Sequence, residues 1–199
     1  KEFYDKFDLV KNLFKEADDT LNFSISKLIL EGPKEELNLT TNTQPAIFLI
    51  SYSIFNVIKK EFNINLNVAK FFAGHSLGEY TALVAGNSIP VNEALKLVRK
   101  RGELMELAPK GSMSAIMGLE YNIISDICLA ASTGENSHVQ CANLNSPNQT
   151  VISGHDDAVN KAQDLCLSEG AKRAIKLKVS IASHSKLMLK AADEFQKPL

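Results

Sequence analysis

Cysteine is scarce in this chain and irregularly placed. Its three cysteines, Cys128, Cys141 and Cys166, are odd in number and widely spaced. The C-x-x-C and Cys/His spacings that bind zinc do not occur, and a disulfide framework requires an even set of cysteines. We therefore expect free thiols in a reducing compartment and no metal site.

An excess of charge of one sign is also absent. The 22 basic and 23 acidic residues give a formal net charge of −1, which does not favour a nucleic-acid or membrane-surface partner. The longest apolar run, 45–55, is interrupted by hydroxyl groups and is too short to cross a bilayer. The charged start Lys1-Glu2 argues against a secretory signal. We expect a cytoplasmic protein, and the missing initial methionine indicates a processed product or a fragment.

Apolar periodicity predicts a mixed α/β chain, long enough for one large domain or for one domain with an insert. Residues 37–43 are polar and predict a loop. The predicted helices are 7–17, 24–31, 44–62, 77–85, 91–107, 122–131, 156–168 and 187–195, and the predicted strands are 66–73, 113–119, 138–143, 150–153 and 174–181. The order β-α-β-β-α-β over 113–181 is that of a ferredoxin-like unit. We therefore expect a large domain over 1–111 and 182–199 and a small one over 112–181.

The segment Gly74-His75-Ser76-Leu77-Gly78 lies between the strand predicted over 66–73 and the helix that follows it. A serine between two glycines at such a turn is typical of a nucleophile elbow, in which the glycines relieve crowding. The amide hydrogens at the start of the helix point to the same place and could hold an oxyanion. The alternative is a glycine-rich turn whose serine only caps the helix.

A serine nucleophile needs a base within hydrogen-bonding distance. Of the four histidines, His75 adjoins the serine and is expected to point away from it. His138 begins the strand predicted over 138–143 and His155 lies in a predicted turn, and both are interpreted as solvated turn residues. His184 follows the strand predicted over 174–181 and precedes a helix, a junction at which α/β proteins assemble sites. It is the predicted base, and a capping or core histidine is the alternative.

Arg101 belongs to the apolar stripe of the helix predicted over 91–107. Its neighbours three and four residues away are all apolar: Leu97, Val98, Leu104 and Met105. An unpaired buried guanidinium is costly, and no acid lies on this helix face. The missing anion could belong to a substrate, because arginine binds a carboxylate in a two-pronged way. The alternatives are a snorkelling side chain or a distant acidic partner. Gly102 would admit another backbone or a ligand.

These features together resemble the malonyl-CoA:acyl carrier protein transacylases of fatty-acid synthesis and the related acyltransferase domains of polyketide and fatty-acid synthases. The resemblance covers essentially the whole chain in order. The matching stretches are 43–46, 74–80, Arg101-Gly102, 143–149, 151–155, 170–173 and Ser183-His184. It implies an α/β-hydrolase-like domain with a parallel sheet and an inserted ferredoxin-like domain.

The resemblance also implies a role for each site residue. Ser76 would be the acylated nucleophile and His184 its base, while Arg101 would bind the free malonyl carboxylate. The Leu77 amide would bind the oxyanion and Met105 would line the acyl pocket. The implied reaction moves a malonyl group from malonyl-CoA to the phosphopantetheine thiol of acyl carrier protein through a malonyl-serine ester. It needs no metal or cofactor, and a monomer is expected.

Two alternatives to this function stay open. The family pattern extends before Lys1 and beyond Leu199, so the resemblance implies truncation at both ends and allows a catalytically impaired fragment. A serine esterase or thioesterase would share the elbow, but it places an acid between serine and histidine in chain order. The aspartates in that interval all fall in the predicted insert and are interpreted as surface charges: Asp126, Asp156, Asp157 and Asp164.

Overall fold

The computed structural model describes residues 1–199, apart from the side chain of Asn67. The chain divides into two compact units. Residues 1–106 with Pro198 and Leu199 form the first unit, and residues 107–197 form the second. The domain boundary predicted at residue 111 lies near this division. Residues 182–197 belong to the second unit, and their assignment to the large domain stays a prediction.

Helices supply the regular structure of the first unit. They are α1 (Glu2–Lys6), α2 (Asp8–Leu21), α3 (Ile25–Glu31), α4 (Lys34–Leu37), α5 (Thr40–Lys60), α6 (Gly78–Ala85) and α7 (Val91–Glu106). Helix α5 packs most extensively against α7 and also contacts α2 and α6. Phe14, Ile25, Phe48 and Val98 are almost fully buried where these helices meet. The core therefore fixes α5 against α7, the two helices that carry part of the candidate site.

The prediction of a loop over residues 37–43 is wrong, because most of this segment is helical: α4 ends at Leu37 and α5 begins at Thr40. Helix α5 includes Pro45, which lacks an N–H group and cannot donate to the carbonyl of Thr41. Arg99 Nη1 donates to that carbonyl at 3.3 Å instead. A side chain from α7 thus satisfies the carbonyl that the proline leaves without its helical partner, and the helix extends in front of the proline.

The strand predicted over 66–73 is also wrong. Leu66–Val68 form a 3-10 helix and residues 69–73 have no regular structure. A strand needs a hydrogen-bonded neighbour, and the described residues of the first unit include no second strand. The apolar side chains of Val68 and Phe71 are 76% and 89% exposed.

The second unit contains the strands of the fold. Its elements are β1 (Ser112–Met117), α8 (Tyr121–Ala131), β2 (Val139–Ser146), β3 (Gln149–Gly154), α9 (Asp156–Ser168), β4 (Arg173–Lys176), a 3-10 helix (Lys186–Met188) and α10 (Leu189–Phe195). The sheet order is β2-β3-β1-β4, and every neighbouring pair is antiparallel. The predicted β-α-β-β-α-β order is confirmed, with β4 shorter than expected. The mixed α/β class is confirmed too, whereas the described residues contain no parallel sheet.

Both faces of this sheet are covered by apolar side chains. On the side of α8 and α9, Ile116, Ile124 and Ile152 are fully buried, while the opposite face carries a smaller cluster around Met113 and Val151. The three cysteines are free thiols, and burial raises the pKa of Cys166 to about 11. None of the helices in the described part of the chain has the length and apolar character needed to cross a membrane.

Candidate active site

Ser76 lies at a strained turn directly before α6. Its φ of +51° is left-handed, a conformation that residues with a Cβ rarely adopt. A Cβ on Gly74 would lie 1.9 Å from the carbonyl carbon of Gly78, whereas a Cβ on Gly78 would meet nothing within 4 Å. The expectation that both glycines relieve crowding is therefore correct for Gly74 and wrong for Gly78.

Helix α6 starts two residues after the serine, at Gly78, and Leu77 is its N-cap. The Gly78 amide donates to the His75 carbonyl at 2.9 Å, and the Glu79 amide donates to the Ser76 carbonyl at 3.3 Å. The Leu77 amide precedes both, at the positive end of the helix dipole. The backbone thus places amides of the first helical turn next to a serine with a left-handed φ.

A chain of contacts on the first unit links the Ser76 hydroxyl to α7 and then to α5. Arg101 Nη2 donates to Ser76 Oγ at 3.0 Å, and Arg101 Nη1 donates to Gln44 Oε1 at 2.5 Å. Gln44 is only 5% exposed, and its Nε2 lies 3.2 Å from Met105 Sδ. Arg101 and Met105 share a face of α7 because they are four residues apart. The structure therefore brings Arg101 to Ser76 and connects Met105 to this pair through Gln44.

Gly102 explains how α5 comes so close to α7. A Cβ at this position would lie 2.7 Å from the Thr40 carbonyl oxygen and 2.8 Å from the Thr41 Cα. The sequence left open whether a backbone or a ligand approaches this glycine, and the structure places a backbone there. The close approach lets Gln44 reach the guanidinium of Arg101.

The guanidinium of Arg101 has neutral hydrogen-bond partners. Its burial lowers the pKa of Arg101, and the nearby Tyr80 and Glu79 oppose that shift. Among the ion pairs of the described residues none includes Arg101, whereas Arg99 pairs with Glu103 at 3.2 Å on the same helix. A snorkelling side chain does not describe this arrangement, because the guanidinium is hydrogen-bonded to Gln44 and Ser76. The alternative of a distant acidic partner is met in part by the charge of Glu79. A half-buried positive charge thus lies beside the serine, and among the described residues the carboxylate of Glu79 acts on it without forming an ion pair.

His184 belongs to the second unit. It lies in the turn before the 3-10 helix Lys186–Met188 and has a left-handed φ of +59°. The next residue, Ser185, is buried; its Oγ donates to the Ala182 carbonyl at 2.7 Å and accepts from the Leu187 amide at 3.3 Å. These bonds fix the turn from inside, and the imidazole-bearing residue is exposed at its tip.

The histidines expected to be solvated turn residues have local partners in the second unit. The His138 amide donates to His155 Nδ1 at 3.1 Å, and both residues are half-buried. Their interpretation as simply solvated is wrong, because they tie the start of β2 to the residue that precedes α9.

Two of the four aspartates that a hydrolase could use have local partners in the second unit, and the other two are exposed. Asp156 accepts from Lys176 Nζ at 2.5 Å, and this bond lowers the pKa of Asp156. Asp157 accepts from Ser137 Oγ at 2.5 Å, which lowers its pKa in the same way. Asp126 and Asp164 lie on exposed positions of α8 and α9. These contacts give no support to a serine–acid–histidine order.

Sequence reasoning missed the part played by Gln44, which it noted only inside a matching motif. The signal available was a polar residue next to Pro45 at the start of a long apolar helix. Its partner on α7 could not be read from the sequence, because the pairing depends on how α5 and α7 pack. The described residues contain no cluster of three or more His, Cys, Asp or Glu side chains that could hold a metal ion.

Comparison with known proteins gives a consistent picture. The family model described as acyl transferase domain matches residues 1–199. A malonyl CoA-acyl carrier protein transacylase of Bacillus subtilis (strain 168) is 45% identical over 202 residues, which cover 100% of this chain and 62% of that protein. The chain thus spans about three fifths of the length of this curated relative.

Solved structures have the same fold. The crystal structure of an acyl carrier protein S-malonyltransferase from Vibrio cholerae matches with a TM-score of 0.89 and 43% identity, over 97% of this chain and 62% of that one. A type II PKS acyl-carrier protein in complex with its malonyl-transacylase matches with a TM-score of 0.89 and 40% identity, over 96% of this chain and 62% of that one.

Proposed function

This chain belongs to the acyl transferase domain family, and we propose that it transfers a malonyl group from malonyl-CoA to the phosphopantetheine thiol of acyl carrier protein. Relatives of this family carry names that state this activity. In the proposed roles Ser76 is the nucleophile, His184 its base and Arg101 the carboxylate-binding residue. The Leu77 amide binds the oxyanion and Met105 lines the acyl pocket.

In the first half-reaction Ser76 Oγ attacks the thioester carbonyl carbon while the His184 imidazole takes its proton. The carbonyl oxygen becomes an oxyanion, and the Leu77 amide donates to it. The carbon–sulfur bond then breaks, and the coenzyme A sulfur leaves with the proton from the imidazolium. A malonyl-serine ester remains.

In the second half-reaction the phosphopantetheine thiol gives its proton to His184 and attacks the ester carbonyl. The bond to Ser76 Oγ breaks and the serine recovers the proton. The two half-reactions share one site, so the acyl donor must leave before the acceptor binds. This order is the basis of ping-pong kinetics.

The observation that carries the proposal is the contact between Arg101 Nη2 and Ser76 Oγ at 3.0 Å. A serine that is to attack an uncharged acyl group has no need of a guanidinium at this distance. A malonyl group brings its own carboxylate, which would pair with Arg101 while its thioester carbonyl lies at the serine. The hydrogen-bond partners of Arg101 are neutral, so a substrate carboxylate would supply the direct ion pair that this guanidinium lacks among the described residues.

A transfer assay with malonyl-CoA and a phosphopantetheinylated acyl carrier protein tests this function. We expect malonyl-carrier protein to form and double-reciprocal plots against the two substrates to be parallel. Release of free malonate without carrier loading would favour the serine thioesterase instead. Absence of both products from the 199-residue chain would favour the catalytically impaired fragment.

The remaining features of the proposal concern the protein's surroundings. Malonyl-CoA and acyl carrier protein are the proposed partners, in fatty-acid biosynthesis. We further propose a monomer, and a cytoplasmic location that agrees with the three free thiols. The near-neutral composition supports neither a nucleic-acid nor a membrane-surface partner.

A further inference from the structure

Gln140 lies on β2 beside the turn that carries His184. Its Nε2 donates to the His184 carbonyl oxygen at 3.3 Å, and its Oε1 accepts from the Lys186 amide at 3.3 Å. The same Oε1 lies 3.2 Å from His138 Nε2. One side-chain amide therefore binds the backbone on both sides of Ser185.

The turn needs external support because His184 has a left-handed backbone. A φ of +59° is unfavourable for a residue with a Cβ and persists only where the surroundings hold it. Ser185 holds the turn from inside through its bonds to Ala182 and Leu187. Gln140 holds the same turn from the sheet, because its side chain donates to the carbonyl oxygen of His184. A rotation of this peptide would redirect the imidazole.

The sheet makes Gln140 a fixed anchor. Val139 is buried in the core on the helix side, so the next residue along the strand projects from the opposite face. Gln140 pairs in register with Ser153 of β3, a central strand. Its Cα position is therefore set by the sheet and does not depend on the turn.

We propose that Gln140 is a positioning residue for His184: its amide fixes the turn over 183–186 and, through it, the direction of the imidazole. The inference rests on the proposed function because it takes His184 as the base of Ser76. Gln140 acts through the backbone and need not touch the substrate. It should therefore influence the rate of acylation and leave thioester binding unchanged.

Two substitutions of Gln140 test its contacts with the His184 carbonyl and the Lys186 amide. Gln140→Glu keeps an oxygen that can accept from the Lys186 amide but sets a carboxylate oxygen against the His184 carbonyl. Gln140→Leu removes both contacts. Gln163→Leu is the matched control, because it makes the same change on α9, on the other side of the sheet. Melting curves establish that each variant is folded before its rate is measured.

The rates are measured with two reagents that modify Ser76. Single-turnover acylation by malonyl-CoA needs the base and the malonyl site, whereas labelling by a fluorophosphonate needs the base alone. We expect both Gln140 variants to lower the maximal rate with each reagent about tenfold, since a displaced catalytic group loses much of its effect. The concentration of malonyl-CoA at half-maximal rate should stay the same, and Gln163→Leu should match the wild type.

Each result has a definite consequence. Wild-type rates in folded Gln140→Glu and Gln140→Leu would overturn the inference, as would a change confined to the half-saturating concentration. Gln140-dependent fluorophosphonate labelling without malonylation would refute the proposed function and keep the positioning role. A wild-type chain that reacts with neither reagent would show that His184 does not activate Ser76, and the inference would fail.

Discussion

Replacing Arg101 with alanine is expected to lower the rate constant kcat/KM for malonyl-CoA about 100-fold relative to that for acetyl-CoA. Arg101 places a positive charge 3.0 Å from Ser76 Oγ, and a malonyl group has a carboxylate where acetyl has none. A hundredfold loss corresponds to about 2.7 kcal/mol of transition-state stabilisation. That value is within the range for removing one partner of a desolvated charge pair. Serine acylation with each thioester, followed by rapid quench, gives the two rates.

Two further variants sharpen this prediction. Lys100→Ala removes an exposed cation from the same helix and should leave the malonyl-to-acetyl ratio unchanged. Arg101→Lys keeps the charge but loses the planar fork, so it should fall well short of restoring the ratio. Equal losses for malonyl and acetyl in Arg101→Ala would remove the carboxylate-binding role from Arg101.

Replacing Gly74 with alanine is expected to disable the elbow. The added Cβ would lie 1.9 Å from the Gly78 carbonyl carbon, so the turn must open to admit it. Overpacking of this kind costs about 2 kcal/mol, which lowers the melting temperature by roughly 4–8 °C. A shift of about 1 Å in Ser76 would lower the acylation rate about 100-fold.

Gly78→Ala is the matched control for this change. It adds the same atom to the other glycine of the motif, where nothing lies within 4 Å, and it does so at the first residue of α6. We expect a melting temperature at or slightly above that of the wild type, because alanine is the better helix former. If the two alanine variants behaved alike, the close approach at Gly74 would not be the reason for the glycine.

The second unit could be predicted well from its sequence because its signals are local. The apolar residues of β1 and α9 recur with the clear periodicity of a strand and of a helix. The helix predicted over 156–168 has the observed bounds of α9, Asp156–Ser168. The hairpin follows from two apolar runs joined by a turn segment. Short-range patterns of this type fix each element before any packing is known.

In the first unit, the observed secondary structure differs from the predicted one where it depends on groups that are distant in the sequence. Helix α5 begins ahead of Pro45 because Arg99 donates a hydrogen bond to the Thr41 carbonyl. No pattern within residues 37–43 predicts that contact. The segment over 66–73 has the composition of a strand, but a strand exists only with a neighbour. The site itself was partly predictable: Ser76 and Arg101 meet as the hypothesis requires, whereas the bridging amide of Gln44 depends on the packing of α5 against α7.

The central claim is that Ser76 accepts a malonyl group, and intact mass spectrometry after brief incubation with malonyl-CoA tests it most directly. The account predicts a mass increase equal to one malonyl group, located on the peptide that contains Ser76 and absent from Ser76→Ala. An adduct on another residue, or one that persists in Ser76→Ala, would contradict it.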